Sequence, residues 1–190
     1  MRSAVLMSTP PRRRRAQDPF GYASGDAATK AIRLVQSMAE KEGIRIALIG
    51  GFAMRAWGSP RLTDDVDFAA TETPLFASVG LSLPGGIGRR SWTPDGIAVD
   101  ILAGMPIYAD TVKKARRTRW GFRLASPEHL LVMKVEAGRG KDQVDVEWLL
   151  GQPGLVDRRK VRGLAKKFTS RATQSELEDV LRRNKPRRSR

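Results

Sequence analysis

Two aspartates one residue apart, Asp65 and Asp67, are the first residues in this chain whose type and spacing can do chemistry. They lie in Asp65-Val66-Asp67-Phe68, which alternates polar and apolar as a strand with one buried face does. Successive strand side chains point to opposite faces, so the two carboxylates share one face. Held that close, they repel each other unless a cation sits between them. Oxygen ligands alone suit Mg²⁺ or Mn²⁺, and carboxylates plus substrate phosphates are the usual way of holding Mg²⁺. Fourteen residues before Asp65 ends a second piece, Gly50-Gly51, preceded by the apolar run Ile46–Ile49. The run reads as a short buried strand, the glycines as a turn, and Phe52–Trp57 as a helix. Backbone N–H groups at such a turn and helix start form an anion site suited to phosphate. Either piece alone is common, Gly-Gly as an ordinary turn and Asp-x-Asp as a solvated strand end. Together they describe a metal–nucleotide site.

The elements around these residues must bring a third acid to them. Residues 88–93 and 97–102 read as a hairpin with Pro94-Asp95-Gly96 as its turn, and Asp100 falls mid-strand among Val99, Ile101 and Leu102. An acid in such a run is costly to bury without a partner, which favours a metal role beside Asp65 and Asp67. Ahead of the site, residues 24–42 read as a helix: Ala28, Ile32, Val35, Met38 and Ala39 recur at helical spacing, Asp26 can cap the start and Gly43 the end. Thr73-Pro74 suggests a short helix start, Pro84-Gly85-Gly86 a loop, 105–111 a helix and 119–124 an edge strand. Ser126-Pro127-Glu128 announces a helix with an apolar face of Leu130, Leu131, Met133 and Val135, and Lys134 off that stripe. His129, in its first turn, reads as structural or exposed. Residues 137–140 break that helix and Lys141 restarts one. Residues 156–168 and 173–183 read as two basic helices, Thr173 and Glu176 forming a capping box on the second.

Gly50-Gly51 followed by Arg61-x-Thr63-x-Asp65-Val66-Asp67 resembles the signature of the minimal nucleotidyltransferases of the polymerase-beta-like superfamily. The resemblance is to the aminoglycoside nucleotidyltransferases and to the nucleotidyltransferase toxins of type IV toxin–antitoxin systems, and it covers roughly residues 44 to 150. It implies an α+β fold of that superfamily, a small mixed sheet flanked by helices, here with extra C-terminal helices. It implies transfer of a nucleoside monophosphate from an NTP to an acceptor hydroxyl, Mg²⁺ or Mn²⁺ as cofactor, and a cognate antitoxin as a partner. Asp100 fits the family's third acid. Lys141-Asp142-x-x-Asp145 resembles a second block of the toxin-like members, in which a preceding helix lysine, matched by Lys134, faces the phosphates. The same residues also read as a solvated helix N-terminus, its acids favoured by the macrodipole. Gly50, Gly51, Arg61, Thr63, Lys134, Asp142 and Asp145 are thus the expected nucleotide-binding set. Within it Thr63 orients the acid strand rather than reacting. The chain is shorter than typical aminoglycoside-modifying members and has no evident large acceptor domain, which leaves the acceptor open.

Composition sets the outer bounds. The chain has 190 residues and no cysteine, which excludes disulfides and thiolate metal sites and suits a reducing cytoplasm. Its most apolar run, Ile46–Met54, has nine residues with two glycines, against the ~18 a membrane span needs. No apolar stretch follows Arg12–Arg15, so no secretory signal is expected. The net charge is +15, with +4 in residues 1–20, +6 in 113–123 and +9 in 156–190, which leaves −4 for the remainder. Basic segments thus surround a mildly acidic core. They fit a polyanionic acceptor such as RNA or tRNA, or else an arginine-rich solvated surface. The expected organisation is a disordered basic tail at 1–20, a nucleotidyltransferase domain at 21–152 and a basic helical extension at 153–190 with a loose end. The rivals are an aminoglycoside-type acceptor and a catalytically silent nucleic-acid binding module.

Overall fold

The computed structural model describes residues 25–72, 89–93 and 96–184. Six strands form one mixed sheet: β1 (Ile46–Ile49), β2 (Asp65–Ala70), β3 (Arg89–Trp92), β4 (Ala98–Leu102), β5 (Arg116–Arg117) and β6 (Arg123–Leu124), in the order β3-β4-β2-β1-β6-β5. The small mixed sheet expected from the sequence is present, with seven helices around it among the described residues. β2 lies between β1, which it meets antiparallel, and β4, which it meets parallel. Every residue of β1 is buried. Along β2 and β4 burial alternates: Val66, Phe68, Val99 and Ile101 enter the core, while Asp65, Asp67 and Asp100 stay partly accessible. Period-two patterning therefore sets which face carries the acids.

Helix α1 (Gly25–Lys41) buries the five apolar residues picked out by their helical spacing. The short helix α2 (Gly50–Ala56) follows β1 directly, and the Trp57 indole N–H after it donates to the Ala125 carbonyl at 2.9 Å. Helix α3 (Pro106–Lys114) packs on β2 and β1. Ser126 caps α4 (Pro127–Ala137), accepting from the His129 N–H, with Pro127 in the first turn. The helical layer is built around α4, which packs against α2, α5 (Gly140–Gly151), α6 (Arg158–Phe168) and α7 (Arg171–Arg183). A helix enclosed on that many sides buries polar residues with apolar ones, and Glu128, His129 and Lys134 are all buried on it.

Three local expectations change. The edge strand expected over 119–124 is a two-residue pair: β5 ends at Arg117, and Thr118 and Phe122 close a turn through the Thr118 N–H to the Phe122 carbonyl at 2.8 Å. The cap of α7 is Ser170, which accepts from the Thr173 N–H, so Thr173 lies inside the helix rather than before it. α1 already includes Gly25, placing Asp26 within its first turn. Of the two readings of His129 the structural one holds: it is buried, its Nε2 3.0 Å from Asp110 Oδ2 and its Nδ1 2.9 Å from Ser126 Oγ. The readings for 1–20, Thr73-Pro74, Pro84–Gly86 and the C-terminal end lie outside the described residues.

Candidate metal and nucleotide site

The parallel pairing of β2 with β4 sets Asp67 opposite Asp100, and Asp65 stands two residues along on the same face as Asp67. One carboxylate oxygen from each of Asp65, Asp67 and Asp100 falls within 4.8 Å of the others. The antiparallel pairing of β1 places Ile49 opposite Asp67, so the chain leaves β1 beside the acids. Gly50 turns there with φ 60°, and a Cβ built on it would lie 1.7 Å from Asp67 Oδ2. A Cβ on Gly51 would lie 2.4 Å from Thr63 Oγ1. The glycine pair therefore does more than turn the chain: it lets the backbone touch the acid strand. The Gly51 N–H donates to the Asp67 carboxylate, so an anion at this glycine turn is the protein's own side chain. Thr63 Oγ1 donates to Asp65 Oδ1 at 2.8 Å.

Burial, and after it the charges of Asp65 and Asp100, push the Asp67 carboxyl up to about 6. Three converging carboxylates, one of them unwilling to ionise beside the others, match an all-oxygen donor set for a divalent cation. The residues fit Mg²⁺ or Mn²⁺. No cysteine or histidine joins them, in keeping with a hard cation.

Next to the triad runs a line of alternating charges. Arg61 Nε lies 3.0 Å from Asp145 Oδ1, and Lys134 Nζ lies 2.6 Å from Asp145 Oδ2 and 3.0 Å from Asp142 Oδ1. Arg139 Nε closes the line at 2.6 Å from Asp142 Oδ2. Asp142 and Asp145 are each 1% exposed, so neither is a solvated helix-end acid. Burial opposes ionisation of Asp142, but the bonds from Arg139 and Lys134 outweigh it and hold the carboxyl below its usual range. The Lys134 charge also lowers the Asp67 carboxyl somewhat, which places the line within electrostatic reach of the triad.

All ten residues singled out in the sequence thus fall into two adjoining groups: the triad with Gly50, Gly51 and Thr63, and the ion network with Arg61, Lys134, Asp142 and Asp145. Lys141 is exposed and belongs to neither. The residue the sequence reading missed is Arg139. Its signal was present in Arg139-x-x-Asp142, a pair one helical turn apart with Gly138 and Gly140 on either side.

Structure comparison gives the fold. An antigenic nucleotidyltransferase-like protein from Paracoccidioides brasiliensis matches with a TM-score of 0.51 at 16% identity, over 83% of this chain and 88% of that one. The antibiotic-resistance factor ANT(2'')-Ia matches with a TM-score of 0.50 at 15% identity, over 83% of this chain and 98% of that one. No protein-family model and no curated protein matches the sequence. The chain has a nucleotidyltransferase fold, as its motifs implied.

Proposed function

We propose that this chain is a metal-dependent nucleotidyltransferase that moves a nucleoside monophosphate from an NTP to an acceptor hydroxyl, with RNA, tRNA included, as the acceptor. The observation that carries this reading is the convergence of Asp65, Asp67 and Asp100 to within 4.8 Å, each contributing one oxygen. The acceptor oxygen attacks the α-phosphorus in line, and a new O–P bond forms as the bond to the bridging oxygen breaks and pyrophosphate leaves. Asp65 and Asp67 would hold Mg²⁺ or Mn²⁺. Asp100 either completes that ligand set or takes the proton of the acceptor hydroxyl. The metal, when bound, supplies charge stabilisation at the entering and leaving oxygens. Thr63 keeps Asp65 oriented, and Gly50 and Gly51 keep the backbone against Asp67, beside the path of the triphosphate. Arg61 and Lys134, held in place by Asp145 and Asp142, are the cations for the negative charge that develops.

The catalytic unit is residues 21–152, and the basic helices of 153–190 serve the acceptor side. Basic segments favour RNA, because they attract a polyanion and repel a cationic aminoglycoside. A silent binding module is the weaker alternative, since three clustered acids facing a phosphate backbone would only repel it. The deciding experiment incubates the protein with each of four labelled NTPs and Mg²⁺ or Mn²⁺, adding total RNA, protein extract or an aminoglycoside panel. Label on RNA is the expected result. Label confined to aminoglycosides would replace the acceptor and keep the catalytic assignment, and label nowhere would count against the enzyme.

A further inference from the structure

The ion line beside the triad has five members, and of its three cations only Lys134 is enclosed. Lys134 has a side chain 9% exposed, between Asp142 and Asp145, each 1% exposed. Were Lys134 to turn toward a ligand, each of these two buried carboxylates would keep a single cation, and that cation is more exposed than Lys134. The ends behave differently. The Arg139 side chain is 62% exposed and that of Arg61 is 29% exposed. Either can leave its aspartate while Lys134 still holds that aspartate. Arg139 is also carried on a permissive piece of chain, since Gly138 has φ 62°, a Cβ there would lie 3.9 Å from the Val135 carbonyl oxygen, and one on Gly140 would meet no neighbouring side chain within 4 Å. The triad reaches this residue electrostatically: the bond to Asp142, and then the charges of Asp142, Asp67 and Asp65, hold the Arg139 proton more tightly than usual. A guanidinium presents a planar fork that fits two non-bridging phosphate oxygens at once, which an ammonium cannot do.

We propose that Arg139 is a nucleotide-binding residue that exchanges Asp142 for the outer phosphates of the NTP, while Lys134 remains bound between Asp142 and Asp145 as a positioning residue. This rests on the nucleotidyltransferase reading above, and it changes which cation meets the phosphates. In the free protein Asp142 keeps the guanidinium beside the acids. When a triphosphate arrives, Arg139 swings on the Gly138–Gly140 turn, and Asp142 stays neutralised by Lys134. Arg61 is poised in the same way at the other end, over Asp145.

The experiment measures binding of each of the four NTPs and the matching nucleoside monophosphates to the full chain with Mg²⁺. The comparison is between wild type, Arg139→Gln, Arg139→Lys and Lys134→Met. The expected result is that Arg139→Gln weakens NTP binding by roughly 10- to 100-fold, the scale of a charge-assisted bond, and leaves monophosphate binding and the melting temperature close to wild type. Arg139→Lys should recover part of that loss. Lys134→Met should lower the melting temperature, as removal of a buried positioning charge does. Equal loss of NTP and monophosphate binding in Arg139→Gln, or no loss, would overturn the proposal. Wild type binding none of the four NTPs would overturn the nucleotide reading itself. Wild-type binding with an indifferent Arg139→Gln would overturn only the role given to Arg139.

Discussion

Gly50 sits so close to Asp67 that a single methyl group on its Cα would lie 1.7 Å from the carboxylate oxygen Oδ2. The turn after β1 and the acid-bearing strand β2 are therefore one unit. Gly50→Ala combines that overlap with a φ of 60°, at which a side chain costs about 1–2 kcal/mol on backbone grounds alone. The expected outcome is a displaced Asp67, weaker Mn²⁺ binding and lost NTP turnover, with a folded far-UV spectrum. Calorimetric titration of Mn²⁺ against both proteins measures it. A Gly50→Ala protein with wild-type Mn²⁺ affinity would show that the close approach does not matter.

The raised Asp67 carboxyl makes the metal-free protein less stable as pH rises. Unfolded, this group releases its proton near 3.8, and folded it holds it to about 6. Between those values the folded state binds more protons, so unfolding free energy falls with increasing pH, by roughly 3 kcal/mol across the window. Asp67→Asn should flatten that slope in EDTA and raise stability above pH 6. On the metal role proposed for Asp67, it should also reduce turnover by roughly a hundredfold or more. Urea melts at several pH values, with and without Mg²⁺, read both effects. Turnover near the wild-type value at saturating Mg²⁺ would sink the metal assignment.

The buried ion line predicts an asymmetry between two substitutions. Lys134→Met takes the central charge from Asp142 and Asp145 and should cost about 3–5 kcal/mol of unfolding free energy, as other broken buried pairs do. Arg61→Gln removes an end that is partly exposed, and Asp145 keeps Lys134, so it should cost about 1 kcal/mol or less. Chemical denaturation of the two variants separates them. Equal costs would mean that Lys134 is not the member that holds the line together.

How far the sequence reached depends on whether a feature is local. Asp65, Asp67 and Asp100 were legible because strand alternation and a hairpin turn are set within a few residues. Ser126-Pro127 marked the start of α4 for the same reason. Lys134 with Asp142 and Asp145 was legible only as a resemblance, since their contact depends on α4 packing against α5, which no short pattern encodes. His129 reads as an unremarkable first-turn residue until Asp110 on α3 is brought against it. The capping box of Thr173 and Glu176 gives way to Ser170 because both hydroxyls stand three residues before a helical N–H, and the helix begins early enough for Ser170 to cap it. Arg139 was missed because an exposed arginine between glycines carries no periodicity.

The last prediction concerns the acceptor. Two basic stretches far apart in the sequence meet at Asp110: Lys114, in the last turn of α3, lies 2.9 Å from Oδ2, and Lys167, in the last turn of α6, lies 3.7 Å from Oδ1. Each helix ends in a pair of lysines, and β5 adds Arg116 and Arg117, both exposed. Asp110 cannot neutralise that many cations, so the surplus faces solvent or a polyanion. If it holds RNA, affinity should fall steeply with salt, and the slope should shrink as contacts are removed. Replacing Lys113, Arg116, Arg117 and Lys166 with Gln spares Lys114 and Lys167, and so keeps the Asp110 contacts. If each replaced side chain meets one phosphate of a single strand, the log–log slope should flatten by roughly 3. NTP binding should be unchanged, because none of the four belongs to the triad or its ion line. Filter binding of total RNA from 50 to 400 mM salt, alongside NTP titration, tests both halves at once. An RNA affinity insensitive to salt in the wild type, or unchanged in the variant, would mark these residues as a solvated face and remove the reason for preferring RNA.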